Sequence, residues 1–267
     1  MHQSLNYNII GKGPPILLIH GIPSTASLWG PLISLLSDKF TFVSINLPGF
    51  GGSPKLNINP QNSLQDIANL SVKIMIENGF EKFHLIGHSF GGAVATTLSY
   101  VYPENIVSLI LSCPFTPNTQ VPFNFGMSNT FFKISNSIWN KLNNYSRNKL
   151  TELGVKRAYG LGYLKERADV ISQEICDEFL LENIYSLLSN FNKNLLEQAY
   201  NSLSEKNFKI TIIGADNDKV IPYKNFIEIQ KKLLNSNAIT IKNCGHTPMW
   251  QYSELFAQII NSHINDI

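Results

Sequence analysis

Several residue types are scarce in this sequence, and each scarcity excludes something. Only three cysteines occur, Cys113, Cys176 and Cys244, far apart and without a C-x-x-C spacing. That excludes a disulfide scaffold or a zinc module and implies reduced thiols. Charge is sparse and balanced, with 21 basic and 19 acidic residues for a net of +2, so there is no broad basic field for nucleic acid or membrane. No run of about eighteen apolar residues exists to span a bilayer. The opening MHQSLNYNIIGKGPP lacks the basic, apolar and small-residue segments of a secretory signal. The expectation is a soluble, cytoplasmic protein.

What is present builds a core. Of 267 residues 43% are hydrophobic and 11% aromatic, enough for one large domain or a domain with a sizeable insertion, and too many for a disordered chain. Thirty asparagines and a preference for lysine over arginine are a compositional bias. No internal repeat is visible.

Short apolar runs bounded by turn residues recur at Ile16 to His20, Phe42 to Asn46, Phe83 to Gly87, Val107 to Ser112, Ile210 to Gly214 and Ala238 to Ile241. They read as buried strands. Between them apolar residues recur at helical spacing, as in Leu64, Ile67, Ala68, Val72, Met75 and Ile76, and in Phe226, Ile229, Leu233 and Leu234. Strand-helix alternation predicts a mostly parallel sheet flanked by helices on both faces, an α/β fold. From about Phe115 to Lys206 no strand run occurs, but helical patterns cover Phe131 to Leu142, Ile171 to Leu188 and Leu195 to Leu203. The division expected is a core of residues 1–114 and 207–267, with 115–206 inserted as a helical cap over the sheet edge where such folds bind ligands.

The sharpest motif is LIGHSFGGAVATTL, with Gly87, Ser89 and Gly91 in a G-x-S-x-G pattern between an apolar strand and a helix. Small neighbours permit a strained turn, and the serine hydroxyl then projects at a helix N-terminus that favours developing negative charge. A serine hydroxyl needs a base, and the base an orienting acid. His246, in the Gly-His loop of KNCGHTPMW, fits the base; His2 and His263 lie near the termini, His84 enters a strand, and His88 cannot turn back onto Ser89. The acid comes from IIGADNDKVIP, where Asp218, four residues before Pro222, is preferred over Asp216. Acyl transfer also needs oxyanion donors: the backbone N–H of Phe90, after the serine, and that of Ile22 in the early His20-Gly21-Ile22-Pro23 loop. His20 then shapes that loop.

HGIP, LPGFGGSP from Leu47 to Pro54, GHSFGG, the Asp218 loop and GHTP together resemble the α/β-hydrolase superfamily, in its helical-cap branch of esterases. The resemblance spans almost the whole chain and implies a Ser89-His246-Asp218 triad working through an acyl-enzyme, with no metal or organic cofactor. One departure is Asn46, where relatives commonly carry aspartate at a structural position. Serine at position 89 argues against haloalkane dehalogenases and epoxide hydrolases, which use aspartate there.

All three arginines, Arg147, Arg157 and Arg167, fall in the insertion, and Lys133 to Arg167 carries eight cations against two anions. Arginine recognises phosphate and carboxylate in a planar, bidentate way. This basic stretch resembles the pimeloyl-acyl-carrier-protein methyl ester esterases of biotin synthesis, which implies a carrier-linked ester substrate and an acyl carrier protein docked on the cap; a solvated helix face is the plainer alternative. Trp250 resembles a feature of the carbon-carbon bond hydrolases of aromatic ring degradation, but His88 stands where those enzymes usually carry asparagine, and packing under the last helix explains Trp250 more simply. A general short-chain esterase and a low-turnover small-molecule receptor on the same fold are the remaining alternatives.

Overall fold

The computed structural model describes residues 4–55, 62–119, 129–159, 179–188 and 191–265. Seven strands form its sheet: β1 (Tyr7–Gly11), β2 (Pro15–Ile19), β3 (Thr41–Ile45), β4 (Phe83–His88), β5 (Ile106–Ser112), β6 (Lys209–Ala215) and β7 (Asn237–Ile241). Their order is β1-β3-β2-β4-β5-β6-β7, and all neighbours are parallel except β1 with β3. Each apolar run read from the sequence is one of these strands, to within a residue at either end. The antiparallel β1 is additional. Its residues are mostly exposed, Ile10 by 47%, so it has no buried run to announce it.

Period-two alternation divides the apolar side chains between two cores. Leu17 and Ile19 of β2 face one core, and Ile16 and Leu18 the other. The first core is closed by α2 (Ser63–Glu77), α3 (Phe90–Val101) and α8 (Tyr223–Lys232). The second is closed by α1 (Gly30–Leu36) and the C-terminal α10 (Ser253–Asn265), with a short α9 (Pro248–Gln251) leading into it. Leu234, expected on the buried stripe of α8, lies beyond the helix end and is 84% exposed.

Between β5 and β6 lie α4 (Asn129–Lys141), α5 (Asn144–Tyr159), α6 (Leu180–Leu188) and α7 (Lys193–Leu203). The helix over Asn144–Tyr159 is one the apolar spacing did not indicate, because NYSRNKLTELGVKRAY carries no continuous apolar stripe. Part of the pattern from Ile171 to Leu188 lies outside the described residues. α7 starts at Asn192, whose side chain accepts from Leu195 N–H at 3.0 Å, and it packs along α3 of the core layer, where the Tyr200 hydroxyl donates to the Phe115 carbonyl at 3.0 Å. α6 is tied to the loop after β3, with Asn183 Nδ2 donating to the Gly49 carbonyl at 2.7 Å.

Candidate active site

The parallel strands end at one edge, where Ser89 follows β4, Asp218 follows β6 and His246 follows β7. Ser89 sits between β4 and α3 with φ of +53° and ψ of −121°, a left-handed backbone that a side-chain-bearing residue rarely adopts. Its environment fixes that strain: its N–H donates to Ser112 at 3.1 Å, and its carbonyl accepts from Gly92 at 2.8 Å and Phe115 at 2.9 Å. The glycine spacing now has a cause. A Cβ on Gly87 would land on the Gly91 carbonyl oxygen, and one on Gly91 would land on the carbonyl oxygens of Ile19 and His20. Two bare backbones let α3 start this close to β4, through Gly87, and to β2, through Gly91.

His246 and Asp218 are brought together. His246 Nδ1–H donates to Asp218 Oδ2 at 2.7 Å, while Asp218 Oδ1 accepts from the N–H groups of Val220 and Ile221 at 2.8 and 2.9 Å. Burial alone would raise the Asp218 carboxyl, but the His246 ring and these hydrogen bonds outweigh it and hold it below the usual carboxylate range. With both oxygens occupied, the carboxylate fixes the imidazole's tautomer and leaves Nε2 as the ring's acceptor. Asp216 is exposed and makes no such contact with His246 among the described residues. Of the two candidate acids, the geometry therefore favours Asp218.

The early loop is drawn against the serine turn. A Cβ at Gly21 would lie 2.7 Å from Ser89 Cβ and 3.1 Å from His88 Nδ1, so glycine is needed there, and Ile22 follows it directly. Phe90 opens α3, so its N–H is among those a helix leaves without an internal acceptor. His20 braces the loop: Nδ1–H donates to the Gly21 carbonyl at 2.7 Å and Nε2 accepts from Leu47 N–H at 3.0 Å. Burial lowers its pKa to about 4, against the backbone hydrogen bond, so it is a neutral brace at neutral pH. Asn46 has a structural role, its Oδ1 accepting from Ala26 N–H at 2.7 Å.

Two contacts had no signal in the sequence. The His88 ring lies 4.6 Å from that of His246, and its Nε2–H donates to the His246 carbonyl at 2.7 Å. Burial first, and then His246 beside it, lower the pKa of His88 to about 3. It is a neutral strut between the serine turn and the candidate base. Cys113, just past β5, brings its sulfur to the Asp218–His246 pair. Cys113 and Cys244 are both free and buried, while Cys176 lies outside the described residues.

The insertion residues fare differently. Arg147 is buried rather than outward: Nε donates to the Trp139 carbonyl and Nη2 to the Asn140 carbonyl, each at 3.1 Å. Its guanidinium closes the end of α4, as cations do at helix C-termini, which corrects its expected use as a docking contact. The Arg157 side chain and all of Arg167 lie outside the described residues. Lys149 and Lys156 both pair with Glu152, whose pKa is lowered to about 2 by the Lys156 contact first and Lys149 second. Trp250 donates Nε1–H to the Leu28 carbonyl at 2.6 Å and packs, partly buried, against the second core.

The fold and this edge match a known family. The model of the alpha/beta hydrolase fold matches residues 14–252, and the chain belongs to that family. Among curated relatives, a fluoroacetate dehalogenase of Burkholderia sp. is 34% identical over 109 residues, 40% of this chain and 36% of its own. A pimeloyl-[acyl-carrier protein] methyl ester esterase of Pseudoalteromonas atlantica is 32% identical over 111 residues, 42% of this chain and 41% of its own. These matches span well under two thirds of the relatives' lengths. A putative esterase/lipase 2 of Mycoplasma pneumoniae is 24% identical over 94% of this chain and 89% of its own. In structure, a thermophilic esterase from Thermogutta terrifontis superposes with a TM-score of 0.76 at 19% identity, over 98% of this chain and 93% of that one. A meta-cleavage product hydrolase from Pseudomonas fluorescens IP01 gives 0.74 at 20% identity, over 98% and 94%. The class is therefore the α/β-hydrolase fold family. No described helix is long and apolar enough to cross a membrane.

Proposed function

We propose that the protein is a serine carboxylic-ester hydrolase acting through an acyl-enzyme, with Ser89, His246 and Asp218 as its triad. The observation that carries this reading is the strained Ser89 turn, tied through His88 to the His246 loop, together with a His246 imidazole fixed by a hydrogen-bonded Asp218 carboxylate. In the first half-reaction Ser89 Oγ bonds to the ester carbonyl carbon and its proton passes to His246 Nε2. The N–H groups of Ile22 and Phe90 hold the oxyanion, and Asp218 stabilises the imidazolium. The carbon–oxygen bond to the alcohol then breaks, His246 returns the proton to the leaving oxygen, and water repeats the cycle to free the acid and restore Ser89.

The finer reading is a carrier-linked ester, the methyl ester of pimeloyl-acyl-carrier protein among them. It is supported by the partial likeness to such an esterase and by the basic stretch from Lys133 to Arg167. With Arg147 turned inward, docking falls to Arg157, Arg167 and the lysines. A panel of p-nitrophenyl esters of increasing acyl length, beside a methyl-ester acyl-carrier substrate, tests both levels. The expected result is turnover abolished in Ser89→Ala, with the carrier substrate preferred and that preference lost in Arg157→Ala. Fast turnover of free esters alone leaves a general esterase. No Ser89-dependent ester turnover overturns the proposal and turns attention to carbon–carbon cleavage or a receptor.

A further inference from the structure

We propose that Cys113, Asp218 and His246 form an inhibitory site for a thiophilic divalent cation such as zinc. The Cys113 sulfur, an Asp218 carboxylate oxygen and a His246 ring nitrogen all lie within 4.8 Å of one another, and all three residues are buried. Among the described residues no other group of three His, Cys, Asp or Glu side chains meets this spacing. Thiolate, imidazole and carboxylate are the donors zinc prefers, at about 2.0–2.3 Å, so closing around an ion needs inward movement of only about 1 Å.

The backbone holds the sulfur there against a local penalty. Cys113 has φ of +45°, a left-handed conformation that favours glycine, and its N–H is pinned to the Ile213 carbonyl at 2.8 Å, between β5 and β6. The Cys113 thiol, with its proton, is buried beside the Asp218–His246 pair. A cation displaces that proton, as coordination does to thiols generally.

Binding would silence the enzyme by proton placement. The ion takes the lone pair of His246 Nδ1, whose proton is transferred to Nε2, and the Cys113 thiol proton leaves to solvent. Nε2 then carries a hydrogen and cannot accept the one from Ser89. The predicted inhibition lowers kcat and leaves KM unchanged, and burial makes its onset slow. This consequence rests on the triad reading above, but the binding itself does not.

Cadmium titration of the whole chain, followed by the ultraviolet absorption of the cadmium–thiolate bond, reads the site without substrate. The expected result is one equivalent bound with a thiolate band in wild type and in Cys244→Ser, and the band lost in both Cys113→Ser and Cys113→Ala. On a p-nitrophenyl ester, zinc should inhibit wild type reversibly, with chelator restoring the rate, and should be at least about tenfold weaker against Cys113→Ser, each protein being compared with its own metal-free rate. A wild type without the band, a band that survives in Cys113→Ser, or equal zinc inhibition of both proteins would overturn the proposal. If no ester is turned over at all, the cadmium result still decides whether the site exists.

Discussion

The carboxyl edge of the sheet and the helical insertion use their polar side chains in different ways. At the edge they are held by backbone: His20 by Gly21 and Leu47, Asn46 by Ala26, His88 by His246, and Asp218 by Val220 and Ile221. In the insertion several charged side chains are held by other side chains, Glu152 by Lys149 and Lys156, and Glu182 by Asn136 and by Lys55 of the core. Backbone partners arrive with the fold and cannot re-pair, so the edge is organised before a substrate binds. The Lys55–Glu182 pair is exposed on both sides, a kind worth about 0–1 kcal/mol. On the proposed function, the chemistry sits where backbone partners hold the side chains.

The contrast can be broken most severely at Asp218. Replacing it with asparagine keeps the shape but loses the charge and favours the wrong imidazole tautomer, so kcat should fall by about 10⁴-fold, as measured on any ester the wild type turns over. Gly91→Ala comes next, because its Cβ meets the Ile19 and His20 carbonyl oxygens; overpacking of this kind should cost about 1–3 kcal/mol in urea unfolding and lower the rate as well. Arg147→Ala sharpens the comparison from the other side. It strips a charged donor from two carbonyls at the end of α4 and should cost about 1–3 kcal/mol of stability, with kcat on small esters unchanged. Lys149→Ala should be nearly silent, within about 0.5 kcal/mol.

Acid should act on the sheet core before it acts on the insertion. Burial lowers the pKa of His20 and His84 to about 4, and of His88 and His263 to about 3, from an ordinary 6.5. The unfolded chain then binds protons that the native state refuses. Stability is full above pH 6.5 and is lost progressively as pH falls from there toward 4 and 3. Urea midpoints across that range should fall with pH, and His263→Asn, which removes one of these groups from the end of the chain, should flatten the slope.

The sequence is most readable where burial is greatest. β2, β4 and β6 are apolar on both faces, so PILLI, FHLIGH and KITIIGA stand out as strands, whereas β1 pairs by backbone alone and its exposed Ile9 and Ile10 carry no pattern. The Ser89 turn is equally readable, because two glycines are what the approach of α3 to β4 and β2 requires. Choosing between Asp216 and Asp218 depends on where a loop turns, which a two-residue difference does not encode. Arg147 shows a further limit: arginine in a basic stretch has one composition whether it faces solvent or caps a neighbouring helix. The placing of His88 against His246 and of Cys113 against Asp218 arises only when β4, β5 and the last loop converge, across sequence separations no local pattern spans.

The central claim is that Ser89 becomes the acyl carrier. Acid-quenched mass spectrometry of the chain mixed with a p-nitrophenyl ester tests it most directly. The account predicts one acyl group, on the peptide bearing Ser89, and none in Ser89→Ala. Ester turnover that continues in Ser89→Ala, or an acyl group lodged on another residue, would contradict it.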